Sequence, residues 1–327
     1  MGKKDAYQFD YLDDNKRFAD QINGALFGGK QVVKPEELEP EDSQIVSVGL
    51  STALTRRTGN AKTIVDKARI WKGTRFHIFV VENQNYVDYQ MVLRNMLSEG
   101  IGYRKQWRQK RRAHREQKDL AGKDEYLSGI RQKEKFTPII TLVVYFGTEH
   151  TWDGAKCLYD LLDIDDALKR YVTNYKLNLY DCQEHDTFGE YRTGLRQVFE
   201  AVRYAGDKEK LRQIMEENRE SYSSIDSDTK EMLEAVANVK IAEQFKTIEK
   251  GKERYDMCKA FEEMRLEGYE AGKVEGKAEG MAEGIEKLIK SAKNFGVSKL
   301  STCEQLIQQY ALSEKEATEK IEKYWTD

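Results

Sequence analysis

The chain has 327 residues, 34% of them charged, with a formal net charge of only −3 and a mean hydropathy of −0.76. That length needs no covalent staples to build a core, and no apolar stretch approaches the roughly 18 residues of a membrane-spanning helix. The N-terminal MGKKDAYQFDYLDDNKRF lacks the apolar centre of a signal peptide, and Cys157, Cys182, Cys258 and Cys303 form no CxxC pair. A disulfide or zinc framework is thereby excluded, and a soluble cytoplasmic protein with free thiols and no membrane partner is expected.

In chain order, Phe18, Ile22, Ala25 and Leu26 recur at helical spacing between Asp13 or Asp14 as cap and Gly28-Gly29 as stop, which predicts a helix over 16–27. VVKPEELEPEDSQIV carries two of the three prolines and reads as a connection into an extended stretch around 45–48. Strands are expected over 63–71 and 76–81, joined by a hairpin turn at Lys72-Gly73-Thr74. DYQMVLRNMLSEGIGYRKQWRQKRRAHREQK reads as one long helix with Tyr89, Val92, Leu93 and Met96 on one face. Gly100 and Gly102 would each weaken it by about 1 kcal/mol. FTPIITLVVYFG is apolar on both faces from Ile139 to Phe146, the pattern of a central strand. WDGAKCLYDLLDI returns to helical spacing, with Trp152 tucked under the sheet.

Together these give an α/β fold, a mixed sheet flanked by helices, in residues 1–185. Past 185 no strand is expected: 186–262 reads as a small helical domain. Residues 263–292 are a Gly/Glu repeat with glycine at 268, 272, 276, 280 and 284, and 293–327 are terminal helices. Five glycines cost a helix roughly 4–5 kcal/mol relative to alanine. The repeat is therefore either a linker or a helix that recovers this loss against a partner helix, such as a second copy of the chain.

The candidate chemistry sits at the end of RFHIFVVENQ. Phosphodiester hydrolysis assisted by a divalent cation needs hard oxygen ligands, usually carboxylates, on rigid neighbouring elements. Asp66 and Glu82 lie on the two arms of the expected hairpin, and Gln84 projects to the same side as Glu82. RKQWRQKRRAHREQK, residues 104–118, has eight Lys or Arg against one Glu. Either it is a solvated helix face or it attracts polyanions through Arg104, Lys105, Arg108, Lys110, Arg111, Arg112 and Arg115. His77, on a strand face, and His114, His150 and His185, at the surface, are given no catalytic role.

A helix bearing Asp20, an Asp on one strand and Glu-x-Gln on the next resembles the PD-(D/E)XK nuclease superfamily. VVENQ followed by DYQMVLRNMLSEGIGYRKQ, TLVVYFGTEHTWDGAKCLYDLL and the EG repeat resembles, over nearly the whole chain, the Rpn family of recombination-promoting nucleases and YhgA-like transposases. The resemblance implies a PD-(D/E)XK core and a Mg²⁺-dependent DNA endonuclease, with Mn²⁺ as a substitute cation. Asp66, Glu82 and the Asn83 carbonyl would bind the metal, with Gln84 where much of the superfamily has lysine and Asp20 at the acidic position of the first helix. Ile64-Val65 precede Asp66 where the superfamily has a proline, which leaves Asp42 as the other reading of the first acid. Lys67 or Lys62 is then expected to supply the missing charge. Recombination, nucleolytic defence and a catalytically inactive DNA-binding protein are the three uses open to such a chain.

Overall fold

The structure, a computed structural model, describes residues 3–40, 67–73, 76–237, 241–249 and 251–325. Asp42, Asp66, Lys62 and the expected stretch 45–48 lie outside the described residues. Met1–Cys258 and Lys259–Asp327 form two compact units, which are described separately.

The first unit opens with helices α1 (Lys3–Tyr11) and α2 (Asn15–Phe27). Asp14 caps α2 by accepting from the Lys16 N–H, and Gly28 closes it with φ of 58°, so the expected start and stop signals both operate. A five-stranded sheet follows in the order β1 (Leu38–Pro40), β2 (Lys67–Lys72), β3 (Phe76–Gln84), β4 (Ile139–Tyr145) and β5 (Asn178–Asp181). The expected hairpin is present: β2 and β3 pair antiparallel from Lys67↔Val81 to Lys72↔Phe76. β4 then joins β3 in parallel and β5 joins β4 in parallel, which makes the sheet mixed, with β4 near its middle as its apolar run requires.

Two expectations about strands need correction. β3 does not stop at Val81: Glu82, Asn83 and Gln84 stay in the ladder opposite Val143, Val144 and Tyr145, since a parallel neighbour holds the polar residues extended. β5 was not expected because it is short and half polar. It is held from the side by Asn178 Nδ2, which donates to the Thr141 carbonyl at 2.9 Å. The helix expected in WDGAKCLYDLLDI shrinks to one 3-10 turn at Leu158–Leu161, because Asp160 accepts the Lys156 and Cys157 N–H groups and fixes a turn instead. Trp152 is buried against Tyr145, ring centroids 5.4 Å apart.

Alternation along β3 puts Ile78, Val80, Glu82 and Gln84 on one face and Phe79, Val81 and Asn83 on the other. The long helix α3 (Met91–Gln117) lies on the first face. A Cβ at Gly102 would fall 2.4 Å from Ile139 Cδ1, so glycine is what lets helix and strand approach, and the helix runs unbroken through it. Its buried stripe is Met91, Val92, Asn95 and Gly102, while Tyr89 and Leu93, expected inside, are exposed. The short helix α4 (Gly122–Ser128) follows it. The second face meets the α1–α2 corner through Arg69. Its Nε donates to Asn15 Oδ1 at 3.0 Å, and its guanidinium lies 5.4 Å from the Phe18 ring.

Helices α5 (Leu195–Arg203), α6 (Lys208–Glu217) and α7 (Ser227–Ala237) continue the same unit. Tyr11 and Thr229 share a 3.1 Å hydroxyl contact, and Arg17 donates to Asp226 at 2.9 Å and Asp228 at 2.6 Å. These contacts lie within the first compact unit, Met1–Cys258. A further pair of strands, β6 (Lys246–Glu249) and β7 (Lys252–Tyr255), forms a hairpin in a segment expected to be helical. Its sequence, KTIE and KERY, is too charged to advertise alternation.

In the second unit the glycine repeat belongs to helix α8 (Met257–Asn294), followed by α9 (Lys299–Tyr310) and α10 (Glu314–Tyr324). Ile285, Ile289, Leu306, Ala317 and Ile321 make its core. Gly284 faces the Tyr310 hydroxyl, whereas among the described residues nothing lies within 4 Å of where a Cβ would stand at Gly268, Gly272, Gly276 or Gly280.

Candidate active site

Glu82 sits on the α3 face of β3, 3% exposed. Gln84, two residues on and on the same face as alternation predicts, donates Nε2 to Glu82 Oε1 at 3.0 Å. What holds them comes from the start of α3. Asp88 accepts the Gln90 N–H at 2.9 Å and its carbonyl accepts from Met91, a local turn that starts the helix. One turn later Arg94 donates Nη2 to Glu82 Oε1 at 2.5 Å and Nη1 to Asp88. Met91 and Val92, fully buried, seat that turn on the sheet.

Burial pushes the Glu82 carboxyl above its ordinary range, the Arg94 guanidinium pulls it back, and Asp88 pushes it up again. Further along the helix Glu99 is also raised by burial, with Thr141 and Tyr175 pulling it down. Burial raises Tyr175 in turn, reinforced by Glu99 and Glu82. The result is a partly dry strip of two raised carboxyls, one amide and one guanidinium. Arg94, Asp88, Glu99 and Tyr175 were not singled out in the sequence. The usable signal was the Asp that opens the helix with an Arg six residues later, which a reading for acids alone passes over.

Asp20 is not brought to Glu82. It is buried on α2, which lies on the opposite face of the sheet, and its carboxylate accepts from the Arg192 N–H at 3.0 Å, the Thr193 N–H at 2.8 Å and the Thr193 hydroxyl at 2.7 Å. The Asn83 side chain points away from Glu82, its Oδ1 buried without a hydrogen-bond partner. Lys67 also lies on the far face, where it donates to Asp13 and stands 3.3 Å from the Phe9 ring centroid. Lys67 is thus not beside Glu82; the cation bonded to Glu82 is Arg94, and Lys62 lies outside the described residues. Among the described residues no three His, Cys, Asp or Glu side chains gather as a metal cluster. Glu82 and Asp88 are the carboxylates that meet at Arg94, which is shared between them.

Of the basic residues on α3, Arg104, Arg108, Arg111, Arg112 and Arg115 are exposed, while Lys105 and Lys110 are half-buried. Lys110 donates to Glu134 at 2.7 Å and Arg112 to Glu116 at 2.8 Å. Arg104, Arg108, Arg111 and Arg115 follow one another by four, three and four residues, a stripe along one side of the helix. His114, expected at the surface, is buried between two carboxylates: Nδ1 is 2.7 Å from Asp119 and Nε2 is 2.8 Å from Glu134.

No helix among the described residues is long and apolar enough to cross a membrane. Searches of curated proteins and of solved structures return no match. The family described as "Putative transposase, YhgA-like" matches residues 65–232, about half of the chain. That stretch runs from the edge of the β2–β3 hairpin through Glu82, Arg94 and the basic face of α3 into α7. The chain belongs to the YhgA-like transposase family.

Proposed function

We propose that the protein is a metal-dependent DNA endonuclease with a PD-(D/E)XK core, serving the recombination or transposition that its family membership suggests. The observation that carries the reading is the buried Glu82 carboxylate, bonded to Gln84 and Arg94 at the carboxyl end of a central strand, beside a helix bearing a stripe of arginines. Glu82, the Asn83 carbonyl and Asp66 would hold Mg²⁺, or Mn²⁺ in its place. Asp66 immediately precedes Lys67, the partner of Val81, and Glu82 immediately follows Val81. A divalent cation in such a site supplies Lewis acidity and a water of lowered pKa.

The chain's own residues supply the rest. Arg94 provides the fixed positive charge that a lysine at position 84 would otherwise give to a phosphate in a water-poor site. Gln84, a neutral amide, orients the Glu82 carboxylate through its N–H. The arginine stripe of α3 draws the DNA backbone along the helix. The test is nicking of supercoiled plasmid by the purified chain in Mg²⁺ or Mn²⁺. Wild type should nick and Glu82→Ala should not; undiminished nicking by Glu82→Ala would overturn this site.

A second reading is favoured by the Arg94 ion pair, which satisfies Glu82 without a metal: a DNA-binding protein whose core does not cut. Retardation of DNA in Mg²⁺ and Mn²⁺ with no nicking at any concentration would favour it.

A further inference from the structure

The far end of α3 and the helix α4 enclose a groove of about 540 Å³, walled by Arg111, Arg115, Lys118 and Tyr126 with His114 beneath. Its size is that of a small-ligand site, and three features give it a chemistry.

The first is an excess of positive charge. Asp119 accepts from His114 and from Arg131, and Glu134 accepts from His114 and from Lys110. Asp119 and Glu134 are therefore each shared between two cationic or proton-donating groups, and Glu125 accepts from the Ala121 and Gln132 N–H groups. Among the described residues Arg111, Arg115 and Lys118 have no carboxylate partner, so the groove presents three uncompensated cations to a polyanion.

The second feature is how Arg111 and Lys118 are held. The stem of Arg111 lies against Gly129, where a Cβ would fall 2.6 Å from its Cγ, and its guanidinium is 5.6 Å from the Trp107 ring. Gly129, at φ of 76°, takes a conformation natural to it. Lys118, which caps α3 at φ of 52°, does not: glycine is the relaxed choice there and a lysine is strained. Strain of this kind collects where a side chain is used.

The third feature is Tyr126. It is 77% exposed on the wall facing those cations, and an aromatic ring open to solvent beside a track of cations is what an unstacked base packs on. In a duplex the base faces are occupied by their neighbours, whereas in a single strand they are free.

We propose that this groove binds single-stranded DNA, with Arg111, Arg115 and Lys118 on consecutive phosphates and a base stacked on Tyr126. The groove lies about 30 Å along α3 from Arg94, at 1.5 Å per residue, so it grips DNA flanking the bond that the nuclease reading would have cut. The proposal rests on that reading for the choice of DNA, and it names the form of DNA taken.

The test is fluorescence anisotropy of the full chain in EDTA, with a labelled 20-nucleotide oligo(dT) and a duplex of equal length. Tyr126→Ala should weaken oligo(dT) binding about tenfold and leave duplex binding unchanged. Tyr126→Phe should bind oligo(dT) as wild type does. Arg115→Gln combined with Lys118→Gln should flatten the log–log salt dependence of oligo(dT) binding by about 1.4, two contacts at about 0.7 each. Unchanged oligo(dT) affinity in Tyr126→Ala, an equal loss on duplex, or no oligo(dT) binding by wild type would each overturn the proposal. Because no metal is present, a chain that binds as described but fails to nick plasmid in Mg²⁺ overturns the nuclease reading and leaves the groove standing.

Discussion

Arg94 Nη2 lies 2.5 Å from Glu82 Oε1, and the same Glu82 oxygen accepts from Gln84. One carboxylate oxygen thus joins a strand end, its neighbouring amide and the first turn of the helix that covers them. Charge and amide are divided between two elements, where a lysine at position 84 would have combined both roles on one.

That division can be tested by transplanting the charge. Arg94→Gln should lower plasmid nicking by about 10²–10³-fold, the scale of losing one preorganised charge donor. Adding Gln84→Lys to it should restore a large part, because the ammonium would stand beside Glu82 again. Circular dichroism melts check that the single variant still folds. A double variant no faster than Arg94→Gln would show that the guanidinium acts only by holding Glu82 in place.

Glu82 is held above the ordinary carboxylate range by burial, against the pull of Arg94. A group raised in the folded state contributes stability that is fully present below its unfolded pKa and is lost as pH rises through its folded pKa. Glu82→Gln, which removes the titration, should therefore melt above wild type at pH 8, by roughly 2–4 °C for each kcal/mol relieved. The gap should close toward pH 4, and nicking by the same variant should be abolished. Scanning calorimetry across pH reads the first effect and plasmid nicking the second.

Hydrogen bonding to Glu134 and to Asp119 raises the His114 imidazole. Lys110 and His114 in turn pull Glu134 down to about 2. With a carboxylate on each ring nitrogen, both contacts are hydrogen bonds only when the ring is protonated. The stabilisation is complete below the ordinary histidine pKa and fades as pH rises through the raised value. Hydrogen exchange of residues 119–134, corrected for the intrinsic rate, should quicken between pH 6 and pH 9. In His114→Gln it should already be fast at pH 6.

Asp20 serves the Arg192–Thr193 turn, and its replacement separates tethering from chemistry. Asp20→Asn exchanges one acceptor oxygen for a donor facing N–H groups and should cost about 3 kcal/mol in urea unfolding. The specific nicking rate of the protein that remains folded should stay within about twofold of wild type. A hundredfold loss of nicking at unchanged stability would return Asp20 to the metal site.

Gly24 lies on α2 where a Cβ would fall 2.3–2.7 Å from the ring of Tyr191. That ring is itself packed edge-on at 4.7 Å against Phe199 and cannot retreat. Gly24→Ala should destabilise by about 1–3 kcal/mol in spite of alanine's better helix propensity, as measured by urea unfolding.

What the sequence disclosed was what local chemistry decides. Asp14 and Gly28 bound α2 as expected, β2 and β3 pair as the arms of a hairpin, and β4 is recognisable from its apolar run alone. Glu82 and Gln84 were legible because period-two alternation puts them together. Arg94 was not, since its place over Glu82 depends on how α3 crosses the sheet, which Gly102 sets by its contact with Ile139, 37 residues away. The buried state of His114 depends on Glu134, which lies beyond the end of the helix that carries it. β5 and the β6–β7 hairpin escaped because their strands are short and polar and are extended only through what they pair with.

The contacts of the first two helices carry a consequence for the order of events in the cell. Asp20 reaches residues 172 and 173 positions onward, and Arg17 reaches partners 209 and 211 positions onward. At synthesis rates of about 5–20 residues per second, residues 3–27 leave the ribosome well before the surfaces that anchor them exist. For about ten seconds or more Phe18 and Ile22 have no complete place to bury themselves, and closing contacts of such long range is slow. These two helices are among the last elements of the first unit to be locked, so its folding waits on the emergence of α7.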